Sequence, residues 1–519
     1  MKRKYLISLA ILLVFIISFF ACHSFEHDVQ HDSMDSSSRR GKILASTYCQ
    51  SCHQLPDPAL IDKKTWVKTV LPGMAPRLGI FVFKGHEYPS KVLDRNIGRN
   101  FYPSVPLIND GQWQDIIDYY WTAAPDSLAP IHRGESIRPG SALFSVIKPS
   151  ANFNIASSCM IHLDVSGTHS NIYLGTVINP GIYKYNSNLK AEDSIHTRGP
   201  VVDIQQDGSG MIGCNIGYLN PNDAKLGSIG RLYWKSKSSP KSEFTNIFDS
   251  LTRPVQVLKS DLNGDKKMDF LICEFGNLKG QLSWKENLGN NKYSTHILRS
   301  SPGAIKAYVT DYNHDGLPDI WALFAQGDEC VILYTNKGNG RFEESKILQF
   351  PAVYGSTYFE LDDFNHDGFP DILYTCGDNA DYSPILKPYH GIYIFLNDGK
   401  NHFRQRYFFP MHGCFKAMAR DFDGDGDLDI AAISFFPDFK RNPEESFFYL
   451  ENKGEFRFLP YTIPQAAEGR WLTMDVGNFY RSGRPDIVLG NFNYGMSSNN
   501  DINNHRVSVP FMVLKNMIK

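Results

Sequence analysis

The chain is 519 residues long, enough for two or more domains, and its 53 lysines and arginines nearly balance 55 aspartates and glutamates. Because no basic stretch follows the first few residues, the sequence argues against a nucleic-acid partner. Aromatic residues make up 13% of the chain, glycines are frequent, and turn residues recur between short apolar runs. This pattern favours an all-β array over helices for most of the chain.

The first 21 residues combine a basic start with an apolar run. Met1-Lys-Arg-Lys precedes the run from Tyr5 to Phe20, which is shorter than the ~20 residues of a membrane-spanning helix and predicts a secretory signal. The sequence Ser-Phe-Phe-Ala before Cys22 resembles the lipobox of bacterial lipoproteins. The resemblance implies cleavage before Cys22, a lipid anchor on its thiol, and a place in the bacterial cell envelope, periplasmic or on the outer-membrane surface. An uncleaved anchor, or secretion with a free Cys22, is the alternative.

The segment Cys49-Gln-Ser-Cys52-His53 has the C-x-x-C-H pattern of covalently attached haem c. The two thiols would add across the haem vinyl groups, and His53 would bind the iron from the proximal side. A redox C-x-x-C needs a βαβ setting and no following histidine, and half a zinc site needs a second ligand pair, which the nearby sequence lacks. We therefore predict haem attachment, which agrees with export.

Helical patterns surround this motif. A short helix is predicted from Gly41 into the motif, and residues 65–71 have helical apolar spacing. A second amphipathic helix, with Asn109 or Asp110 as its N-cap, is predicted to end before Pro125. Residues 41–126 therefore favour a small all-α domain.

These features together resemble a small class I cytochrome c. In that family a methionine on a proline-containing loop is the distal iron ligand. The matching residue is Met74, in Leu71-Pro-Gly-Met74-Ala-Pro. The resemblance implies iron held by His53 and Met74, and a thioether opposite histidine raises the reduction potential relative to two histidines. His86 as the ligand, with Met74 packed in the core, is the alternative.

Two polar segments are predicted as connections. Residues 22–40 are rich in serine, aspartate and histidine and predict a flexible tether, because so polar a segment can bury no core. Residues 127–140 carry proline and glycine and predict a linker to the rest of the chain.

Four loops beyond the linker share the pattern D-x-[DN]-x-D-x-x-x-D. Oxygens at positions 1, 3, 5 and 9, with a backbone carbonyl near position 7, can surround one hard cation, and glycine at position 6 in three of the loops permits the tight turn. We expect calcium in these loops, since magnesium prefers fewer protein oxygens, and we expect the ions mainly to rigidify turns. The predicted ligands are Asp261, Asn263, Asp265, Asp269, Asp311, Asn313, Asp315, Asp319, Asp363, Asn365, Asp367, Asp371, Asp421, Asp423, Asp425 and Asp429.

The loops are not EF-hands, because each closing aspartate leads directly into a β-like stretch such as Ile320-Trp-Ala-Leu. Each unit then continues with a strand and turn such as Ile332-Leu-Tyr-Thr-Asn-Lys-Gly. This pattern resembles the FG-GAP/VCBS repeats of integrin-type propellers, with weaker copies near residues 164, 203 and 478. Together the units predict a multidomain chain: the all-α domain, then an all-β seven-bladed propeller over residues 141–519, closed by a strand at 142–147.

The remaining cysteines are scattered, several within strand-like apolar runs. We expect buried free thiols, although disulfides are the alternative in an exported protein. The six residues are Cys159, Cys214, Cys273, Cys330, Cys376 and Cys414.

No nucleophile–base pair with a recognisable spacing is present, so no catalytic residue is predicted. Candidate ligand-binding residues near turns of one propeller face are Tyr354, His390, His412, Arg470 and Trp471. The preferred function is one-electron transfer to a redox partner protein in the cell envelope, with the propeller docking a partner, glycan or surface ligand. The alternatives are a carbohydrate-binding or adhesion propeller with an accessory haem, and a propeller dehydrogenase that passes electrons to its own haem.

Overall fold

The computed structural model describes residues 35–140, 143–150, 156–208, 210–235, 241–380, 382–493 and 509–518. The predicted signal peptide, Cys22 and most of the predicted tether lie outside the described residues. Within the described ranges, no helix is both long and apolar enough to cross a membrane.

The N-terminal part is mainly helical, but it also contains a short β-hairpin, which the prediction of an all-α domain did not include. Helix α1 spans Ser36–Tyr48 and continues as a 3-10 turn, Cys49–Ser51, into the C-x-x-C-H motif. The middle elements are a 3-10 turn at Pro58–Leu60, α2 at Lys63–Thr65, a π-helical turn at Trp66–Val70, α3 at Leu71–Met74 and a 3-10 turn at Ala75–Leu78. A short hairpin follows, with β1 at Val82–Phe83 and β2 at His86–Glu87. Helix α4 spans Asp110–Ala123.

Both long helices begin at side-chain caps. Asp35 accepts a hydrogen bond from the Ser38 backbone N–H and starts α1 five residues before the predicted domain boundary at Gly41. Asn109 caps α4, and Gln112 completes a capping box with it. The N-cap prediction for α4 is therefore confirmed, whereas the end of the predicted tether is helical.

Helices α1 and α4 cross at Gly41. A Cβ atom there would lie 1.8 Å from the Asp115 carbonyl oxygen, so only glycine allows this close approach. Next to the crossing, Arg40 binds both carboxylate oxygens of Asp115 at 2.8 Å. Beneath the crossing, the rings of Trp66 and Tyr120 pack with centroids 4.4 Å apart. The segment after the C-x-x-C-H motif is thus tied into the same core as the two helices.

The rest of the described chain forms seven antiparallel blades of a propeller with four strands each, and the two-residue strand β3 (Arg138–Pro139) adds a fifth, parallel strand to the sheet of blade 6. Blade 1 contains β5 (Ser158–Asp164), β6 (Asn171–Thr176), β7 (Gly181–Tyr185) and β8 (Ala191–His196); blade 2 contains β9 (Val201–Asp207), β10 (Gly210–Asn215), β11 (Gly227–Tyr233) and β12 (Glu243–Leu251); blade 3 contains β13 (Pro254–Ser260), β14 (Asp269–Glu274), β15 (Gln281–Gly289) and β16 (Lys292–Arg299); blade 4 contains β17 (Ala304–Thr310), β18 (Asp319–Phe324), β19 (Cys330–Asn336) and β20 (Phe342–Gln349). Blade 5 contains β21 (Ser356–Asp362), β22 (Asp371–Cys376), β23 (Gly391–Asn397) and β24 (Phe403–Pro410); blade 6 contains β25 (Cys414–Arg420), β26 (Asp429–Ser434), β27 (Phe447–Asn452) and β28 (Phe458–Thr462); blade 7 contains β29 (Trp471–Gly477), β30 (Asp486–Asn491) and β31 (Phe511–Asn516) with β4 (Phe144–Ile147). Short 3-10 turns occupy Pro443–Ser446 and Pro464–Glu468.

The first strand of every blade contacts the first strands of both neighbouring blades, so these seven strands form a closed inner ring. The second strands are buried on both faces because a neighbouring blade covers each face. In β14, Leu271 packs into the cluster between blades 3 and 4, whereas Ile272 packs into the cluster between blades 2 and 3. This double burial explains why the second strands read as continuous apolar runs.

The predicted closing strand is confirmed. Strand β4 pairs antiparallel with β31, with Phe144 opposite Asn516 and Val146 opposite Leu514. The N-terminal strand thereby supplies the outer edge of a blade whose other three strands come from the C-terminal end. The six scattered cysteines are free and buried, as predicted.

The predicted linker is bound along blade 6. Strand β3 (Arg138–Pro139) pairs in parallel with the end of β28. Arg133 forms a 2.7 Å ion pair with Glu445, and its Nε donates to the Pro410 carbonyl at 3.0 Å. Both charged side chains are nearly buried, at 12% and 9% exposed. The segment therefore has a fixed path, which its polar composition did not indicate.

Candidate haem and calcium sites

The C-x-x-C-H motif lies at the C-terminal end of α1. Cys49 is half-buried against the helical core and Cys52 is exposed, and both are free thiols. Burial raises the pKa of the Cys49 thiol to about 11, so it is protonated near neutral pH. The turn thus presents two reduced thiols separated by two residues, as thioether attachment requires.

The ring of His53 is held by one nitrogen. Its Nδ1 lies 2.9 Å from the Gln54 carbonyl oxygen. Because a carbonyl can only accept, Nδ1 carries the hydrogen of this bond, and in the neutral ring the free lone pair is then on Nε2. That tautomer is the one in which Nε2 can bind a metal. The two thiols and this imidazole fit a covalently attached haem.

The rival interpretations of the motif gain no support. The described part of the helical domain has one hairpin, whose strands β1 and β2 have two residues each, and no βαβ unit around the cysteines. Within the described ranges, the one trio of His, Cys, Asp or Glu ligand atoms that lie within 4.8 Å of one another is Asp421, Asp423 and Asp425 in blade 6. Within the same ranges, the cysteine pair belongs to no such group.

The two candidate distal ligands occupy different surroundings. Met74 is the half-buried last residue of α3, and the 3-10 turn that follows it contains Pro76. The predicted proline-flanked loop is therefore largely helical. His86 lies exposed on β2. The ligation of iron by Met74 stays a prediction. The structure places Met74 at the end of a short helix.

The propeller has two distinct faces because successive antiparallel strands alternate in direction. Loops between first and second strands lie on one face, which we call the calcium-loop face. Loops between second and third strands, and the connections between blades, lie on the opposite face, which we call the docking face. The four predicted calcium loops occupy the first face in blades 3 to 6.

The four predicted calcium loops share left-handed backbone at the same two positions. In blade 4, the Asp311 carboxylate accepts hydrogen bonds from the N–H groups of Asp315 and Gly316 at 3.0 and 2.9 Å. Positions 4 and 6 are left-handed in all four loops; in blade 4 they are His314 (φ 59°) and Gly316 (φ 85°). The predicted need for glycine at position 6 is met except in blade 3, where Lys266 adopts φ 68°.

The closing aspartate has a structural role that sequence reasoning missed. Asp371 accepts hydrogen bonds from Phe364 N and Asn397 N, both at 2.9 Å, and so ties the loop to the third strand of its blade. In blade 7, which lacks the other carboxylates, Asp486 accepts from Tyr480 N and Asn516 N at 2.9 and 2.8 Å. This anchor therefore does not depend on a metal. The sequence did contain a signal for this role: aspartate occupies position 9 in the weak repeat of blade 7 as well as in the four full loops.

The four loops differ in whether a lysine or arginine side chain contacts their carboxylates. In blade 3, Lys267 Nζ lies 2.8 Å from Asp265 Oδ2. In blade 6, Lys453 Nζ lies 3.7 Å from Asp423 Oδ2, and Arg484 of blade 7 reaches Asp421 at 4.0 Å. These side chains partly neutralise the loops of blades 3 and 6.

The predicted ligand-binding residues all lie on the docking face, but they differ in role. Trp471 is buried, and its Nε1 donates to the Ala466 carbonyl at 2.9 Å, so it is a core residue. Arg470 donates from Nε to the Phe435 carbonyl at 2.9 Å, and burial lowers its pKa to about 10. His390 is fully buried, and burial lowers its pKa well below the usual value. His412 and Tyr354 lie in the connections between blades on the same face.

The FG-GAP-like repeat family matches residues 261–322 and 311–374, which cover the calcium loops of blades 3 to 5. The strand pairing of the described residues defines a seven-bladed β-propeller, and residues 261–374 of it match FG-GAP-like repeats. Among solved structures, it is similar to a Saccharomyces cerevisiae complex of a Dbp5 variant with Nup159, a Gle1 variant, IP6 and ADP (12% identity, 73% of this chain and 98% of that chain, TM-score 0.41). It is also similar to Saccharomyces cerevisiae Sqt1 (7% identity, 75% of this chain and 100% of that chain, TM-score 0.42). The number of blades rests on the strand pairing.

Proposed function

We propose that the protein is an exported, lipid-anchored c-type cytochrome that transfers single electrons, and that its calcium-stabilised propeller docks a partner or ligand. An FG-GAP propeller is suited to docking, because its loops present an extended surface on a rigid ring. The electron carrier would be the helical domain. The partner would be a redox protein of the cell envelope, and a glycan or surface ligand is a further candidate for the propeller.

One observation carries the haem assignment: the two free thiols at the end of α1 are followed by an imidazole whose Nδ1 is held by the Gln54 carbonyl and whose Nε2 is available. Cys49 and Cys52 would hold the haem, and His53 would bind its iron. A bound haem supplies reversible one-electron chemistry. Cys52 is exposed, so one edge of the group would lie near solvent and within reach of a partner protein.

Met74 would complete the iron coordination. If His53 and Met74 both held the iron, no position on it would be open to a substrate. That arrangement suits electron transfer rather than bond making. It also agrees with the sequence, which offers no nucleophile–base pair.

The haem assignment is tested by producing the chain in a host that exports proteins and attaches haem c. We expect the mass of one haem on the protein after denaturation, and its loss in a Cys49→Ala, Cys52→Ala double variant. The ferric protein should show the weak long-wavelength band that reports a methionine–iron bond. Met74→Ala should abolish that band, whereas the control His86→Ala should keep it. A wild-type protein without covalent haem would contradict the proposal.

A further inference from the structure

The helical domain is docked on the propeller through the segment that contains Met74. Tyr389, between β22 and β23, places its hydroxyl oxygen 3.1 Å from the Leu60 carbonyl oxygen of the helical domain. Val353 and Ile385 of the docking face pack directly into the helical core. Tyr389 is itself fixed by stacking on Tyr354, with ring centroids 4.7 Å apart. Blades 4 and 5 thus provide a rigid seat for the helical domain.

A close contact joins Gly73 to Tyr382. A Cβ atom on Gly73 would lie 2.6 Å from Cε1 and 2.7 Å from Cδ1 of the Tyr382 ring, so the ring lies directly on the backbone. Gly73 is the residue immediately before Met74 in α3. On the other side of α3, Leu71 and Ala75 are buried in the helical core. The Met74 segment is therefore held between its own core and an aromatic ring of the propeller.

Further contacts fix the orientation of the helical domain. Lys91 Nζ lies 3.4 Å from the Pro221 carbonyl oxygen of blade 2. Near blade 3, Lys279 Nζ would lie 3.4 Å from a Cβ on Gly98. The chain that leaves the helical domain is anchored by Arg133 on Glu445. With contacts on blades 2, 3 and 5 and on the connection between blades 4 and 5, and with its linker anchored on blade 6, the helical domain cannot pivot without losing several of them.

We propose that Tyr382 is a positioning residue for the distal haem ligand, so that the propeller sets the strength of the Met74–iron bond. This inference rests on the proposed function. A methionine–iron bond depends on how firmly the chain holds the sulfur, because the ligand can be displaced. Removing the ring frees one side of α3, so Met74 should dissociate more often and the reduction potential should fall.

The experiment compares Tyr382→Ala with Tyr218→Ala, which removes an exposed tyrosine from the docking face of blade 2. Added imidazole displaces methionine from ferric haem, so its apparent affinity reports how firmly Met74 is held. We expect Tyr382→Ala to raise that affinity about two- to tenfold, as loss of one aromatic contact implies, and to lower the reduction potential. Tyr218→Ala should match the wild type in both measurements, and both variants should carry one haem.

A second variant tests the contact itself. Gly73→Ala drives a methyl group into the Tyr382 ring, so it should weaken the methionine–iron band in the wild-type background. In the Tyr382→Ala background the ring is gone, and the same substitution should have a smaller effect. Equal effects in both backgrounds would overturn the inference.

The failures of the two proposals can be told apart. Absence of covalent haem, or of the methionine–iron band in the wild type, would overturn the proposed function and this inference with it. Normal haem and band, with Tyr382→Ala behaving like Tyr218→Ala, would overturn only the positioning role.

Discussion

Glu329 shows how one buried carboxyl joins two blades. It precedes β19 of blade 4 and is 2% exposed. Its oxygens accept hydrogen bonds from the backbone of Ser356 at 2.7 Å and of Gly355 at 3.2 Å, and from the Ser356 hydroxyl at 2.5 Å. These donors lie at the start of blade 5. Burial nevertheless dominates and raises the pKa of Glu329 from its ordinary 4.5 to about 7.

This shift predicts a pH dependence of stability. Between pH 4.5 and about 7, folded Glu329 keeps a proton that the unfolded chain has released. Its contribution to stability is therefore full below pH 4.5 and is lost as the pH rises towards 7, by roughly 3 kcal/mol. Between about pH 5 and about pH 7.5, the melting temperature of Glu329→Gln should fall less than that of the wild type. The control is Glu343→Gln, which changes an exposed residue. If the melting temperatures of all three proteins fall equally over this pH range, the prediction is wrong.

At the scale of single elements, the calcium loops show what sequence can reveal. The spacing of Asp363, Asn365 and Asp367 indicates the loop directly, because ligands at alternate positions need no distant partner. The sequence predicted Asp371 only as a calcium ligand. Its second role, as the anchor of the loop, could not be predicted because its partner Asn397 lies in the third strand of the blade. The strand at Arg138–Pro139 is too short to show any periodicity in the sequence. It is a strand only because it pairs with the edge of blade 6.

The loops also predict the effect of removing calcium. Each occupied site stabilises the folded propeller by about 2.7 kcal/mol when calcium is a hundredfold above the dissociation constant. Treatment with EDTA should therefore lower the melting temperature of the propeller and leave the haem spectrum unchanged. Asp315→Asn should remove part of this calcium effect, whereas Asp398→Asn, an exposed carboxylate in a neighbouring blade outside the four loops, should not. A melting temperature that EDTA leaves unmoved would contradict the calcium sites.

At the scale of the whole molecule, the two domains form one interlocked unit. The helical domain sits on the docking face, its connection runs along blade 6, and the chain then closes blade 7. Sequence patterns predicted each domain, because each has its own local signals. They could not predict the docking, because Gly73 and Tyr382 are far apart in the chain and neither residue type indicates a contact. The relation between the domains is therefore visible only in three dimensions.

Strand β4 comes early in the chain but completes the last blade. We therefore predict that Phe144, in β4, contributes strongly to the stability of that blade. Phe144 is 8% exposed and packs edge-on against Phe422 and Tyr449, with ring centroids 5.8 and 5.4 Å away. Phe144→Ala should cost about 3–5 kcal/mol and lower the melting temperature of the propeller. It should also loosen β4 from β31 and expose the edge of β31, four of whose six residues are apolar, so we expect dimers or aggregates in gel filtration. Ser145→Ala on the same strand should change neither, and equal behaviour of the two variants would show that β4 does not hold the ring closed.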